Sequence, residues 1–422
     1  MTKRLRIQVF AVVLTCAYPF AAGAQDTAEM LARMKAMEDR IKALEAEVQS
    51  LRAQQTAAPV TPAPVAAQAP PVPTQRVPAP IDVTPPSQEP VALGGAGPAA
   101  AKALNPDIAV IGDLVGAAGN SAGRPTPSIE MHESEVAFQA ILDPYARADF
   151  FFSFGEQGVT LEEGYLTFPA LDGGFQLRAG KMRAAFGVVN TLHNHVLPWV
   201  DRPLVTQDLV GGEDGIDDAG FSLSRIIPAP NKIFLEGTAQ IFRGDSDDLF
   251  HAYNRNDVST VGHLRGYRDL SESTNLSLGV SYARGHSVIG PDVINQLYGI
   301  DATLRWKPLR RAIYKSFVGR GEYIWSRISQ SNLTQTPSGY YVSGEYQFAR
   351  RWFAGVRIDQ SDRLFGPAAN DKQQSFLLTY WPSEFSQIRT QFRHGRYMGL
   401  GDSNELLFQL QFSIGSHGAH PF

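Results

Sequence analysis

The 422-residue sequence predicts an all-β fold, a transmembrane antiparallel β-barrel of about 16 strands, preceded by an α-helical coiled coil and a disordered linker. Three observations predict it. From residue 106 onward the chain repeats runs of about ten residues in which apolar and polar side chains alternate. Short connections between those runs trade places with long ones. After the N-terminal segment, no apolar run reaches the roughly 18 residues that a membrane helix needs. The 38 Gly and 10% aromatic content suit a chain of many strands and turns.

Residues 1–24 read as a secretory signal peptide. Lys3, Arg4 and Arg6 form its basic start, an apolar core runs from Ile7 to about Phe20, and Ala22-Gly23-Ala24 supplies the small residues for cleavage. Cleavage removes Cys16, the single cysteine, and with it any disulfide or thiolate chemistry. It also takes 3 of the 38 basic residues, leaving 35 against 42 acidic ones, a balance of −7 that offers nucleic acid no footprint.

Residues 25–55 carry apolar side chains at Met30, Met34, Met37, Ile41, Leu44, Val48 and Leu51, spaced 4 and 3 in turn. That is a heptad seam, with Arg33/Glu38, Arg40/Glu45 and Glu47/Arg52 as opposite-charge pairs between parallel helices. β-Branched residues over leucine lean toward dimers, whereas barrel channels are commonly trimers; the trimer is the expectation taken. Residues 56–105 are rich in Ala and Pro, from Pro59 to Pro80 and beyond. Proline keeps such a chain extended, to about 150 Å at full stretch. This segment is a spacer placing the coiled coil in the periplasm, within reach of peptidoglycan.

Residues 106–422 form the barrel. Leu406, Phe408, Leu410, Phe412 and Ile414 alternate with Leu407, Gln409, Gln411 and Ser413, and the runs at 276–282, 298–306, 340–348 and 352–359 do the same. An apolar face for lipid and a polar face for water is the barrel pattern, and only closure satisfies every backbone edge in hydrocarbon. Trp306, Trp325, Tyr346, Trp352, Tyr380 and Trp381 sit at strand ends, where an interfacial girdle lies. Longer connections fall near 184–217, 244–257, 286–296, 328–338 and 363–371. An 18-strand reading stays open, with short strands near 116–130 and 244–257.

Several motifs bear a resemblance. Glu162-Glu163-Gly164-Tyr165-Leu166-Thr167-Phe168, Leu177-Arg178-Ala179-Gly180-Lys181-Met182-Arg183, His193-Asn194-His195 and Trp199-Val200-Asp201-Arg202-Pro203 together resemble the phosphate-selective porin O/P family of outer-membrane channels. The tail from Ser413 to Phe422 resembles a proteobacterial subgroup called zinc-regulated outer-membrane receptors. The resemblance implies an outer-membrane location in a Gram-negative cell, with lipid and lipopolysaccharide around the barrel, and anions as solutes. The lysine-rich constriction of phosphate channels has no counterpart here. An energised receptor needs about 22 strands and a plug, more than this chain supplies, so a passive or weakly selective pore for small hydrophilic solutes is the expectation.

Strand parity turns Arg147, Arg178, Asp301, Arg305, Arg320, Glu322, Glu345, Arg357, Asp359, Arg389 and Arg393 inward as pore-lining residues, with Asp149 and Glu236. Guanidinium groups grip oxyanions with paired hydrogen bonds, while the acids allow pairing across the lumen instead. The longest loop, 184–217, is expected to fold inward as the constriction. It carries His193 and His195, a pair that suits a divalent metal or a solvated loop. No organic cofactor is indicated. No Gly-x-Ser-x-Gly elbow occurs, so no enzyme is expected. A metal-linked uptake or binding protein and a structural envelope tether are the alternatives to a channel.

Overall fold

Period-two sequence runs become strands whose successive side chains point to opposite faces. In the computed structural model these are β1 (Asp107–Asn120), β2 (Glu130–Asp143), β3 (Ala146–Gly155), β4 (Gly158–Leu171), β5 (Phe175–Arg183), β6 (Asp217–Ile227), β7 (Phe234–Phe242), β8 (Ser259–Ser271), β9 (Thr274–Ser287) and β10 (Gly290–Trp306). They continue as β11 (Ser316–Gln330), β12 (Leu333–Gln335), β13 (Ser338–Ala349), β14 (Trp352–Asp362), β15 (Asn370–Ser383), β16 (Ser386–Tyr397) and β17 (Gly401–Gly415). One short helix, α1 (Leu204–Leu209), lies between β5 and β6. The structure describes Lys35, which is helical, and residues 106–415 except 122, 125, 157, 247, 331–332 and 366–369. The expected signal peptide, the coiled coil apart from Lys35, the linker and the tail beyond Gly415 lie outside the described residues.

Each strand but β12 pairs antiparallel with the next wall strand, and β1 pairs with both β2 and β17, so the sheet closes on itself. The 3-residue β12 pairs only with β11, which also pairs directly with β13; 16 of the 17 strands therefore make the wall. The 18-strand reading falls, because 121–129 and 243–258 add no wall strand among the described residues.

The register puts the expected faces where parity placed them. Leu406, Leu410, Phe412 and Ile414 are exposed on the outside, while Leu407 and Gln409 are buried inside. Val342, Val356, Ile358, Phe376 and Leu378 likewise point out, across from buried Ser343, Arg357, Asp359, Ser375 and Thr379. An outer surface of this composition is suited to hydrocarbon. Aromatic pairs bridge neighbouring strands on it: Trp352 stacks on Tyr380 at 4.5 Å and Tyr298 on Trp325 at 5.4 Å.

Both barrel termini fall at the end of the short turns, since Ala109 pairs with Gly415 and with Ala137. One expected loop is corrected. Residues 286–296 are mostly strand, with β9 and β10 joined through residues 288–289. Gly290 and Pro291 suggested a break, but the ladder absorbs them in an irregularity between Gly290 and Ile294, the place where a sheet tolerates proline.

Candidate functional site

The loop between β5 and β6, residues 184–216, does not stand clear of the barrel. At its base the chain is pinched: the Ala184 amide donates to the Ile216 carbonyl at 2.8 Å. Asn190 ties the same strands, donating to Ala184 O at 2.9 Å and accepting from the Ile216 amide at 2.8 Å. Two glycines permit this. Gly215 has φ +69°, and a Cβ there would sit 2.0 Å from Asn190 Oδ1; Gly187 has φ +61°, and its Cβ would sit 2.4 Å from Glu322 Oε2.

From that base the loop crosses the lumen. The Val188 and Val189 amides donate to Glu322 on β11 at 2.9 and 2.8 Å. Farther on, the chain reaches the opposite arc. Arg389 on β16 donates to the carbonyls of Leu197 (2.8 Å) and Trp199 (3.2 Å). Asp201 is the hub. Its side chain accepts from Arg357 Nη2 at 2.9 Å, Arg393 Nη1 at 3.0 Å, Gln373 at 2.9 Å and Gln391 at 2.6 Å. Arg357 Nη1 also donates to the Asp201 carbonyl at 2.7 Å, and its Nε to Asp359 at 2.8 Å. Asp359 in turn caps the start of α1, accepting from the Leu204 amide at 3.2 Å. Burial works to raise the Asp201 pKa, but Arg357 and Arg393 more than offset it and hold the carboxyl well below the ordinary carboxylate range.

Apolar packing completes the attachment. Phe186, Val189, Leu197, Trp199, Val205, Leu209 and Val210 of the loop form one buried cluster with Leu297, Ile324, Ile328 and Tyr341 of the wall. The Trp199 ring meets Tyr341 edge-on at 5.2 Å, and the Arg357 guanidinium lies over it at 5.0 Å. Arg124, from the loop between β1 and β2, donates to Gln207 and pairs with Asp208 of α1 at 2.5 Å. A polar cavity of about 290 Å³ remains between the loop and the β1, β2 and β17 arc, with Arg124, Arg202 and Arg393 facing Asp113, Glu130 and Glu213.

The residues that parity turns inward differ in how far they are covered. Glu322, Arg357, Asp359, Arg389 and Arg393 are buried under the loop. Arg147 and Arg178 are exposed, and Arg305, Arg320 and Glu345 are half-buried. Asp301 is buried on β10. Arg147 pairs with Asp149 at 2.7 Å, and Arg178 lies over the Tyr165 ring at 5.3 Å. Arg305 and Arg320 sit diagonally across the β10–β11 ladder, since Arg305 faces Val318 and Arg320 faces Thr303.

His193 and His195 are not solvated. His193 Nδ1 lies 2.8 Å from Glu135 and 2.7 Å from Glu162, its Nε2 lies 3.0 Å from Glu163, and His195 Nδ1 lies 3.6 Å from Glu135. Sequence reasoning missed Glu135 as their partner, Asp201 as the hub, and Arg265, which faces inward on β8. Nothing in a single sequence pairs Glu135 with His193. Arg265 was legible by parity, because Val261, His263, Arg265 and Tyr267 alternate with Gly262, Leu264 and Gly266.

No family profile matches the chain. An uncharacterized protein of Aquifex aeolicus is 29% identical over 336 residues, spanning 69% of this chain and 70% of that one. Among solved structures, an anion-selective porin from Comamonas acidovorans superposes with a TM-score of 0.53 at 10% identity, covering 73% of this chain and 99% of that one. A loop-deletion mutant of OmpT, an outer membrane protein of Vibrio cholerae, gives 0.51 at 8% identity, covering 73% and 99%. Closed 16-strand wall, apolar exterior and polar interior give this chain the fold of the outer-membrane porins.

Proposed function

We propose that the chain is an outer-membrane porin that passes small hydrophilic solutes by diffusion, favours anions, and is narrowed by loop 184–216. The observation that carries this is the loop itself, tied by buried arginines to the far wall while a polar cavity stays open beside it. A loop held this firmly limits the size of what passes. The anion preference rests on Arg178, Arg265, Arg305 and Arg320, which the loop leaves uncovered. Among the described residues, Arg305 and Arg320 have no hydrogen-bond or ion-pair partner, so two adjacent cations are available to an oxyanion. A homotrimer in the outer membrane, with the 25–55 coiled coil held in the periplasm on the 56–105 linker, completes the reading.

The test is planar-bilayer recording of the refolded full chain in asymmetric potassium chloride. Stepwise conductance with a reversal potential on the chloride side is expected. Absence of conducting steps removes the channel reading and favours the closed barrel as an envelope anchor, a reading that the apolar cluster inside the lumen would then explain. A reversal potential on the potassium side removes the anion preference alone.

A further inference from the structure

We propose that Glu135, Glu162, His193 and His195 form a binding site for a divalent transition-metal cation of the zinc class, pinning loop 184–216 to the β2–β4 arc. The inference goes beyond the channel reading and does not depend on it.

The donor set comes from three parts of the chain. Glu135 is on β2 and Glu162 on β4, where the ladder between β3 and β4 slips between Phe151 and Phe152, turning Glu162 as well as Glu163 toward the loop. The loop contributes the two imidazoles. Ligand atoms of Glu135, His193 and His195 all lie within 4.8 Å of one another. Both Glu135 Oε2 and Glu162 Oε2 converge on His193 Nδ1, at 2.8 and 2.7 Å. A tetrahedral zinc site with bonds of about 2.0–2.1 Å spaces its ligands about 3.4 Å apart, close to the spacing already present among Glu135, His193 and His195, with Glu162 beside His193 as the fourth donor. Two imidazoles with two carboxylates suit zinc or its neighbours better than calcium or magnesium, which take oxygen alone.

Two further features point to a cation. First, His193 turns its other nitrogen, Nε2, to Glu163 at 3.0 Å, the carboxylate–histidine–metal arrangement that orients a ligating imidazole. Second, the cluster crowds carboxyl groups out of water: Glu133, Glu135 and Glu162 are 7%, 3% and 4% exposed, and Glu133 and Glu162 hydrogen-bond carboxyl to carboxyl, a contact in which a proton holds the place of a cation. Arg183 reaches Glu162 only at 3.4 Å. Buried carboxylates in such excess are costly unless a cation joins them. Asn194, between the two histidines, lines the polar cavity, which gives an ion a route to the site.

The test uses the full chain in detergent, stripped with a chelator and titrated calorimetrically with zinc chloride alone. Wild type is expected to bind one zinc per chain at this site. His193→Gln and Glu135→Gln are expected to lose it, and Glu163→Gln, a positioning residue, to weaken it about 10–100-fold. His417→Ala/His420→Ala controls for zinc held by the tail and leaves the site intact. X-ray absorption at the zinc edge of wild-type protein reads the ligands directly, so the proposal stays testable if a variant misfolds. Two imidazoles and oxygen donors are expected. No zinc binding by wild type, unchanged binding in both His193→Gln and Glu135→Gln, or a first shell without two imidazoles would each overturn it.

Discussion

Arg357, Arg389 and Arg393, on β14 and β16, are 0%, 3% and 2% exposed, and their donors go to Asp201, Asp359, Glu405 and the carbonyls of the 184–216 loop. Elsewhere on the wall, on β5, β8, β10 and β11, Arg178 and Arg265 are exposed and Arg305 and Arg320 half-buried. All seven obey the same strand parity. What separates them is the loop, which covers Arg357, Arg389 and Arg393, and Glu322 on β11 as well, but leaves uncovered the four arginines that lie nearer the short turns. An inward arginine is thus a structural latch or, in the channel we propose, a solute contact, according to a segment far away in sequence. Buried guanidinium groups need partners of opposite charge to be tolerable at all, and Asp201 supplies that charge only because the loop carries it across the lumen.

The strongest way to break the comparison is to remove the hub. Asp201→Ala leaves Arg357 and Arg393 buried with fewer counter-charges, a change expected to cost about 3–5 kcal/mol of loop attachment. Conductance per channel should rise severalfold as the loop swings free. Unchanged conductance would mean that the apolar cluster alone holds the loop. Among the uncovered arginines, Arg305→Gln with Arg320→Gln should move the reversal potential toward the cation side and change stability by no more than about 0.5 kcal/mol, as for solvent-facing substitutions generally. The matched control, Arg389→Gln, should do the reverse, lowering the unfolding midpoint while leaving selectivity nearly alone. If covered and uncovered arginines respond alike, the division into latch and contact fails.

A smaller effect tests the loop base. Gly187→Ala forces a side chain into a left-handed backbone and against Glu322, which also receives the Val188 and Val189 amides. A cost of about 1–3 kcal/mol is expected, read as a lower midpoint for heat-induced unfolding in detergent. Wild-type stability in this variant would show that Glu322 moves aside freely.

The wall was legible because its rule is local. Leu406 to Ile414, or Tyr340 to Phe348, announce their faces by alternation alone, and the inward arginines follow by counting. Turn chemistry placed the 16 wall strands, and one expected loop, 286–296, proved to be mostly strand because Gly290-Pro291 imitates a break. The latch was not legible, because its rule is not local: Asp201 meets Arg393 across 192 residues of sequence. His193-x-His195 suggested a metal pair, but Glu135 and Glu162 belong to strands that closure of the barrel, and no sequence spacing, brings to it.

The pH dependence of the latch is the finest test of the difference between covered and uncovered arginines. A carboxyl whose folded pKa is depressed contributes stability that is complete above its unfolded value, about 3.9 for aspartate, and that is lost as pH falls through the folded value. Arg357 and Arg393 hold Asp201 well below that range against the opposing effect of burial. The loop should therefore stay in place from pH 7 down to about 4, and conductance should show no opening step over that interval. Acid should release it only well below. Arg393→Gln removes one of the two cations and should move the release upward in pH, while Arg305→Gln, at a position the loop does not cover, should leave it where it was. An opening step in wild type at the ordinary aspartate value would show that Asp201 is not held by the two arginines, and the latch would then have to be sought in the packing of Trp199 and Leu197.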